Sequence, residues 1–352
     1  MTMTTIARRI TGGVDTHLDV HVAAALDERG ALLGIESFET TAGGYRRLLR
    51  WLESFGAVEL IGVEGTGSYG AGLTRHLLSQ QIAVVEIDRP NRQRRRLTGK
   101  SDPHDAVAAA RAAQGGDATG LAKSRDGNVE SMRVLRVARF SARRSRTQAI
   151  NQMRSLISTA PDELRAELRD LSIYKILTIA GAYRHTGRTD VTTLTKLALR
   201  TLARRALSLE EEVKEIDRLL KTLVKDTAPE LCAVDGVGTD VASAILVAVG
   251  DNPERLQSEA TFAKLCGVSP LDASSGKQVR HRLNRSGDRQ ANSALWHIVF
   301  TRMVNDPRTQ HYIERRMKDG RSKKEAVRCL KRYVAREVFA ALPRSQFGVD
   351  NP

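Results

Sequence analysis

Four acidic residues carry the chemistry most legible in this chain. Asp102 and Asp105 stand in Lys100-Ser101-Asp102-Pro103-His104-Asp105-Ala106, at the head of an alanine-rich run, Ala106 to Ala113, that reads as a helix. Pro103 falls just inside the helix start, where its missing N–H removes no hydrogen bond. Positions three apart share a helix face, so both carboxylates can point at one spot. They either converge on a divalent cation or simply complement the positive end of the helix dipole. The other two acids come from strands: Asp15 in Gly13-Val14-Asp15-Thr16-His17 and Glu64 in Val63-Glu64-Gly65-Thr66-Gly67-Ser68. A carboxylate inside or closing an apolar strand is costly to desolvate without a partner or a metal. Mg2+ takes oxygen ligands, typically a few carboxylates with water and substrate phosphate. Two such ions roughly 4 Å apart can clamp a phosphodiester. His17 and His104 flank the acids, where they would position a water or a proton, or only make local hydrogen bonds.

The elements that must hold these acids follow from periodicity. Residues 13–26 read as a strand, a turn and a second strand, with Val14, Val20, Val22 and Ala24 alternating as in a half-buried strand. A turn at Asp27-Glu28-Arg29-Gly30 leads to a third strand over 32–38, then an amphipathic helix over 42–54. A buried strand over 58–63 ends at Glu64, a helix covers 70–80 and another strand 83–87. Strands in a row followed by helix–strand alternation predict an α/β domain with a mixed sheet, residues 1–120.

Residues 121–225 read as almost all helix. Leu199, Leu202, Ala206, Leu209, Val213, Ile216, Leu220 and Leu223 keep a +3/+4 rhythm. That pattern predicts a coiled coil, made either between two copies or as a long intramolecular hairpin. Ser208-Leu209-Glu210-Glu211 resembles a capping box and would start a new helix there. Residues 226–342 form a third, mainly helical region, with 343–352 as a tail. In it, Asp235-Gly236-Val237-Gly238 is either a helix-hairpin-helix turn offering backbone N–H groups to phosphate, or a plain helical hairpin.

Charge points to the partner. The chain has 352 residues, with 56 Lys+Arg against 41 Asp+Glu, a net charge of +15 and a pI near 10.1. Such an excess favours a polyanion, most often nucleic acid. Aromatics are only 4%, so phosphate contacts rather than base stacking should dominate. Candidate nucleic-acid contacts are Arg94 and Arg95 in an arginine run before the acidic helix, and Arg136, Arg139, Arg143 and Arg146 along one helix face with no interleaved acid. Lys277, Arg280 and Arg282 join them, from a segment 277–289 with one acid. Cys232, Cys266 and Cys329 are far apart, form no disulfide or zinc pattern, and read as small buried apolar residues suited to a reducing cytoplasm. No apolar run is long enough to span a membrane, and the first ten residues lack a signal-peptide core. A cytoplasmic, nucleoid-associated protein is expected.

Taken together, Gly13-Val14-Asp15, Val63-Glu64-Gly65-Thr66-Gly67 and Lys100 to Ala106 resemble the DEDD, RuvC-like domain of transposases of the IS110 family. The block Gly267-Val268-Ser269-Pro270, then Ser275-Gly276-Lys277 and Ser286-Gly287-Asp288, resembles that family's second domain. The resemblance covers nearly the whole chain. It implies an α/β ribonuclease-H-like (RuvC-like) N-terminal domain, a helical coiled-coil middle and a mainly α C-terminal domain. Asp15, Glu64, Asp102 and Asp105 would hold Mg2+, and Ser275 would attack a DNA phosphate to form a covalent phosphoserine link. Double-stranded donor and target DNA, a non-coding bridge RNA as guide, and a homo-oligomer, dimer then tetramer with composite sites, are implied as partners.

From the residues alone, Ser274-Ser275-Gly276 is as readily a polar turn, with Ser274 the nearest rival nucleophile. A metal-dependent nuclease that hydrolyses DNA junctions, a protein-only DNA invertase, and a nucleic-acid-binding protein without catalysis are the competing readings.

Overall fold

The computed structural model describes residues 8–87, 101–116, 118, 120–184, 186–251, 256, 258–274, 281–285 and 287–343. The chain divides into two compact units, one of residues 1–127, 249–261 and 344–352, the other of residues 128–248 and 262–343. The stretches expected as a helical middle and a C-terminal region thus fall largely within one unit. Among the described residues no helix is long and apolar enough to cross a membrane.

The first unit is built on β1 (Arg9–Thr16), β2 (Val20–Leu26), β3 (Leu32–Glu39), β4 (Ala57–Glu64) and β5 (Ala83–Ile87), in the order β3-β2-β1-β4-β5. β1 runs antiparallel to β2 and parallel to β4, and β5 is parallel to β4. This is the mixed sheet expected from the strand pattern. The β2–β3 turn is held by Asp27, whose carboxylate accepts the N–H of Arg29 at 2.9 Å and of Ala31 at 2.8 Å. Gly30 there takes φ +81°, a conformation glycine adopts without strain.

Helices α1 (Ala42–Glu53) and α2 (Ala71–Ser79) cover one sheet face, packing Leu48, Leu52, Leu73 and Leu77 against Val14, Ile61 and Val63. Helix α3 (Asp102–Gln114) covers the other, where Ala106 meets Val22 and Ala24, and Ala109 and Ala113 meet Val85 and Ile87. The half-buried reading of β2 is therefore corrected: every residue from 21 to 26 is buried, because α3 covers Val22 and Ala24 while α1 and α2 cover Ala23 and Ala25 on the face the alternation leaves free.

In the second unit, α4 (Asn128–Ser158) pairs with α7 (Val191–Thr227), with α5 (Asp162–Leu168) and α6 (Ile173–Ala182) between them in sequence. Arg139 meets Asp217, and seven residues on Arg146 meets Glu210, seven residues back, so the pair is antiparallel. Of the leucine rhythm, Leu199, Ala206 and Leu220 are buried, while Leu202, Leu209, Val213, Ile216 and Leu223 are half-buried. The helix does not restart at Ser208; α7 is one uninterrupted helix of 37 residues. Its +3/+4 stripe supports a continuous packed face, which overrides a local capping pattern.

Then come α8 (Pro229–Ala233), α9 (Thr239–Val249), α10 (Glu259–Leu265), a two-strand hairpin of β6 (Leu271–Asp272) and β7 (His281–Arg282), and α11 (Arg289–Asn305), α12 (Pro307–Lys318) and α13 (Lys323–Ala340). Asp235-Gly236-Val237-Gly238 lies in the connection between α8 and α9. Of the cysteines only Cys266 is buried; its thiol is pushed up to about 12 by burial. Cys329 is half-buried and Cys232 exposed, since α8 turns Leu231 inward and Cys232 outward.

One polar residue is out of place in this core. His21 is fully buried, its ring stacked on Tyr45 at 5.7 Å and 9°. Burial, reinforced by nearby His17, lowers its pKa from 6.5 to about 4. The unfolded chain binds a proton that the folded chain refuses, so this contribution to stability is complete above pH 6.5 and is lost as pH falls toward 4. His21→Leu should remove about 2 kcal/mol of the stability difference between pH 7 and pH 5, read by urea unfolding of both proteins at both pH values. An unchanged pH dependence would rule out His21 as its source.

Candidate metal centre

Two glycines build the site. Gly13 and Asp15 share one face of β1, and Gly62 and Glu64 share the same face of β4. A Cβ at Gly13 would collide with the Ala106 carbonyl and the Ala110 N–H, and one at Gly62 would lie 2.8 Å from the Ala109 carbonyl. Helix α3 therefore rests on the strand backbones themselves, and its alanines replace the bulk a normal helix–sheet interface needs. Ser101 is the N-cap, Pro103 lies in the first turn, and Asp102 and Asp105 are the first-turn acids. The register pairs Val14 with Val63, so Asp15 and Glu64 come one step further along adjacent parallel strands. The Thr16 hydroxyl donates to the Glu64 carbonyl at 2.7 Å and ties the two strand ends together.

Asp15, His17 and Asp102 each offer one ligand atom, and these atoms lie within 4.8 Å of one another. His17 Nε2 is 3.2 Å from Asp15 Oδ2 and 3.3 Å from Asp102 Oδ1. Asp15 is only 6% exposed, and Asp105 is equally buried. Burial, above all, raises the Asp15 pKa; His17 opposes the rise, while Asp105 and Asp102 add to it. Three carboxylates are thus close enough to feel one another, and Glu64, half-buried, closes the neighbouring strand. Buried like charges with an imidazole beside them are a donor set suited to a divalent cation. His17 belongs to the cluster itself rather than beside it; its signal was the Asp15-x-His17 spacing, which returns to one side of an extended chain. His104 is exposed and outside the cluster.

The remaining candidates divide. Arg94, Arg95, Ser275, Lys277 and Arg280 lie outside the described residues. Arg282 is exposed on β7 and pairs in register with Leu271. Ser274 is held: its N–H and hydroxyl donate to Asp272 Oδ1 at 2.8 and 2.5 Å.

The arginine face on α4 differs most from expectation. Arg136 contacts Asp240, Ser243 and Gln290; Arg139 bridges Asp217 and Asp240; Arg146 pairs with Glu210. Reading α4 alone showed no interleaved acid, because the acids come from α7 and α9. These three side chains tie helices together, and Arg143 is the exposed member of the stripe.

If the cluster binds a cation, Asp15 carries a stability cost without one. With a folded pKa raised above 3.8, the stability its neutral form contributes is present below that value and lost as pH rises through the folded pKa. Asp15→Asn should raise the melting temperature of EDTA-treated protein at pH 7. Saturating Mg2+ or Mn2+ should then raise that of the wild type by a few degrees and leave the variant unmoved. Equal ion responses in a thermal-shift titration would remove Asp15 from the ligand set.

Two family models match the chain. One, for the DEDD transposase of IS110 and described as a transposase, covers residues 12–161. The other, described as the transposase IS116/IS110/IS902 family, covers residues 228–314. The first span holds all four acids and the second holds Ser275. The DEDD domain implies a ribonuclease-H-like fold, in keeping with the mixed five-stranded sheet. The insertion element IS110 uncharacterized 43.6 kDa protein of Streptomyces coelicolor is 27% identical over 150 residues. That match takes in 42% of this chain and 37% of the relative. The chain belongs to the IS110 family of transposases.

Proposed function

We propose that this protein is the transposase of an insertion sequence, a serine-dependent DNA recombinase working with a carboxylate-bound metal. The observation that carries the reading is the meeting of Asp15, His17 and Asp102, with Asp105 in electrostatic reach, at the ends of β1 and α3. Asp15, Glu64, Asp102 and Asp105 would hold Mg2+, which supplies positive charge to a phosphodiester and its developing negative charge. His17 orients the Asp15 and Asp102 carboxylates and offers a site to hold a proton. Ser275 is the proposed nucleophile. Its oxygen forms a bond to phosphorus as the P–O3′ bond breaks, and its proton leaves to a base while the departing 3′ oxygen takes one up. The 3′-hydroxyl so released can later attack the phosphoserine, rejoin the DNA and restore the serine, so exchange needs no external energy source. Lys277, Arg280 and Arg282 supply positive charge for the scissile phosphate.

Donor and target duplex DNA are the proposed substrates. A bridge RNA transcribed from the element is the proposed guide, and a homo-oligomer, tetrameric when two DNAs are joined, is the proposed active form. The net charge of +15 supports a nucleic-acid partner.

A second reading, a metal-dependent nuclease acting on DNA junctions, draws on the acidic cluster, which is complete in carboxylates without any serine. One experiment separates the two. Expressed with its flanking DNA and purified, the wild type should carry one discrete RNA from that flank. On DNA matching that RNA it should form a protein–DNA adduct stable to denaturation. Ser275→Ala should abolish the adduct, Asp102→Asn should lower strand exchange by at least about 100-fold, and EDTA should do the same. Strand cleavage that survives Ser275→Ala without any adduct would establish the nuclease instead.

A further inference from the structure

In the second unit, α11, α12 and α13 and the turn after α8 line an open cavity of about 780 Å³. Its volume is that of a site for a nucleotide-sized ligand. The acids in its wall are already answered by groups of this chain. Arg302, its side chain 11% exposed, lies 2.8 Å from Glu337 Oε2 and 3.8 Å from Asp235 Oδ2, and donates to the Asp235 carbonyl at 3.0 Å. Asp306 caps α12, accepting the N–H groups of Arg308 and Thr309 at 3.1 Å and the Thr309 hydroxyl at 2.7 Å.

Two arginines of the wall are left over. Arg308 and Arg315 are exposed, and no carboxylate among the described residues lies within ion-pair distance of either. Tyr333 is 51% exposed, and the Tyr312 ring stands edge-on to it at 6.1 Å and 78°. The Arg315 guanidinium lies 5.5 Å from the Tyr312 ring centre, and Arg336 lies 5.9 Å from that of Tyr333. Residues 307–336, which make up α12, most of α13 and their connection, hold 11 Lys and Arg against 3 Asp and Glu. Aromatic faces interleaved with arginines are the means by which proteins hold unpaired bases, since every base has a face to stack and every nucleotide a phosphate to pair.

We propose that this cavity binds an unpaired nucleotide of a single-stranded nucleic acid, with its base against Tyr333 and Tyr312 and its phosphate on Arg308 and Arg315. A duplex cannot use the site without unstacking, because its bases already cover one another. The proposal rests on the reading of the chain as a nucleic-acid-handling protein, and goes beyond it by naming a pocket apart from the acidic cluster. An acidic peptide fits the site less well, since a peptide carboxylate has no base to set against the rings.

The test uses the full-length protein and fluorescence anisotropy with labelled oligo-U, oligo-dT and a duplex of the same length. Tyr333→Ala should weaken single-strand binding on the order of 10-fold on RNA, DNA or both, and leave duplex binding unchanged. Tyr333→Phe, which keeps the ring, should bind like the wild type and guards against a folding defect. Arg315→Ala should lower the salt dependence of single-strand binding by about one phosphate contact. Single-strand affinity unchanged in Tyr333→Ala, or lost equally on the duplex, would overturn the pocket while leaving the recombinase reading intact. A wild type that binds none of the three oligonucleotides would overturn both.

Discussion

The acidic cluster of the first unit depends on the absence of two side chains. Without a Cβ at Gly13 and Gly62, α3 lies directly on the backbone of β1 and β4, and its first turn arrives level with the strand ends. A helix held off at the usual separation by larger residues would carry Asp102 and Asp105 away from Asp15. The alanines of α3 are the matching half of this arrangement, being buried and too small to wedge the layers apart. The close approach then concentrates negative charge where the protein can least tolerate it. The raised pKa of Asp15 records that tension. Sites that bind cations commonly carry such tension, because the ion relieves what the folded chain alone does not.

Charge is used differently in the second unit. There the basic excess is partly spent on architecture: Arg136 and Arg139 on α4 bind Asp240 on α9, and Arg139 and Arg146 bind acids of α7. An arginine suits this work because its planar fork reaches two partners at once, as Arg139 does. Another 11 Lys and Arg lie between residues 307 and 336, on α12, α13 and their connection, where 3 acids accompany them. Net charge therefore signals a polyanionic partner but does not say which arginines meet it; that depends on what lies across from each one.

This difference also marks what could be read from the sequence. The five strands, α1, α2 and α3 follow from patterns local to each segment, and so do Asp15, Glu64, Asp102 and Asp105, whose spacing and flanking glycines are local signals. The double burial of β2 was not legible, since its two faces are covered by separate helices that follow later in the chain, α1 and α2 on one side and α3 on the other. The internal pairing of the arginine stripe was hidden for the same reason: Asp240 is 104 residues from Arg136. The leucine rhythm of α7 announced a partner helix without naming it, because a hydrophobic seam looks alike whether it meets its own chain or another. His17 was legible only as a neighbour of the acids, as the strand's path past Thr16 decides where the ring turns.

The antiparallel α4–α7 pair has a mechanical consequence. Arg139–Asp217 and Arg146–Glu210 lie one heptad apart and share a single register. Sliding one helix past the other by a turn, about 5.4 Å, would break both pairs at once and offer neither arginine its former acid. With no break in α7, itself about 55 Å long, to absorb bending, the pair behaves as a strut rather than as a sliding joint. A push at one end of it is felt at the other as movement of the whole rod.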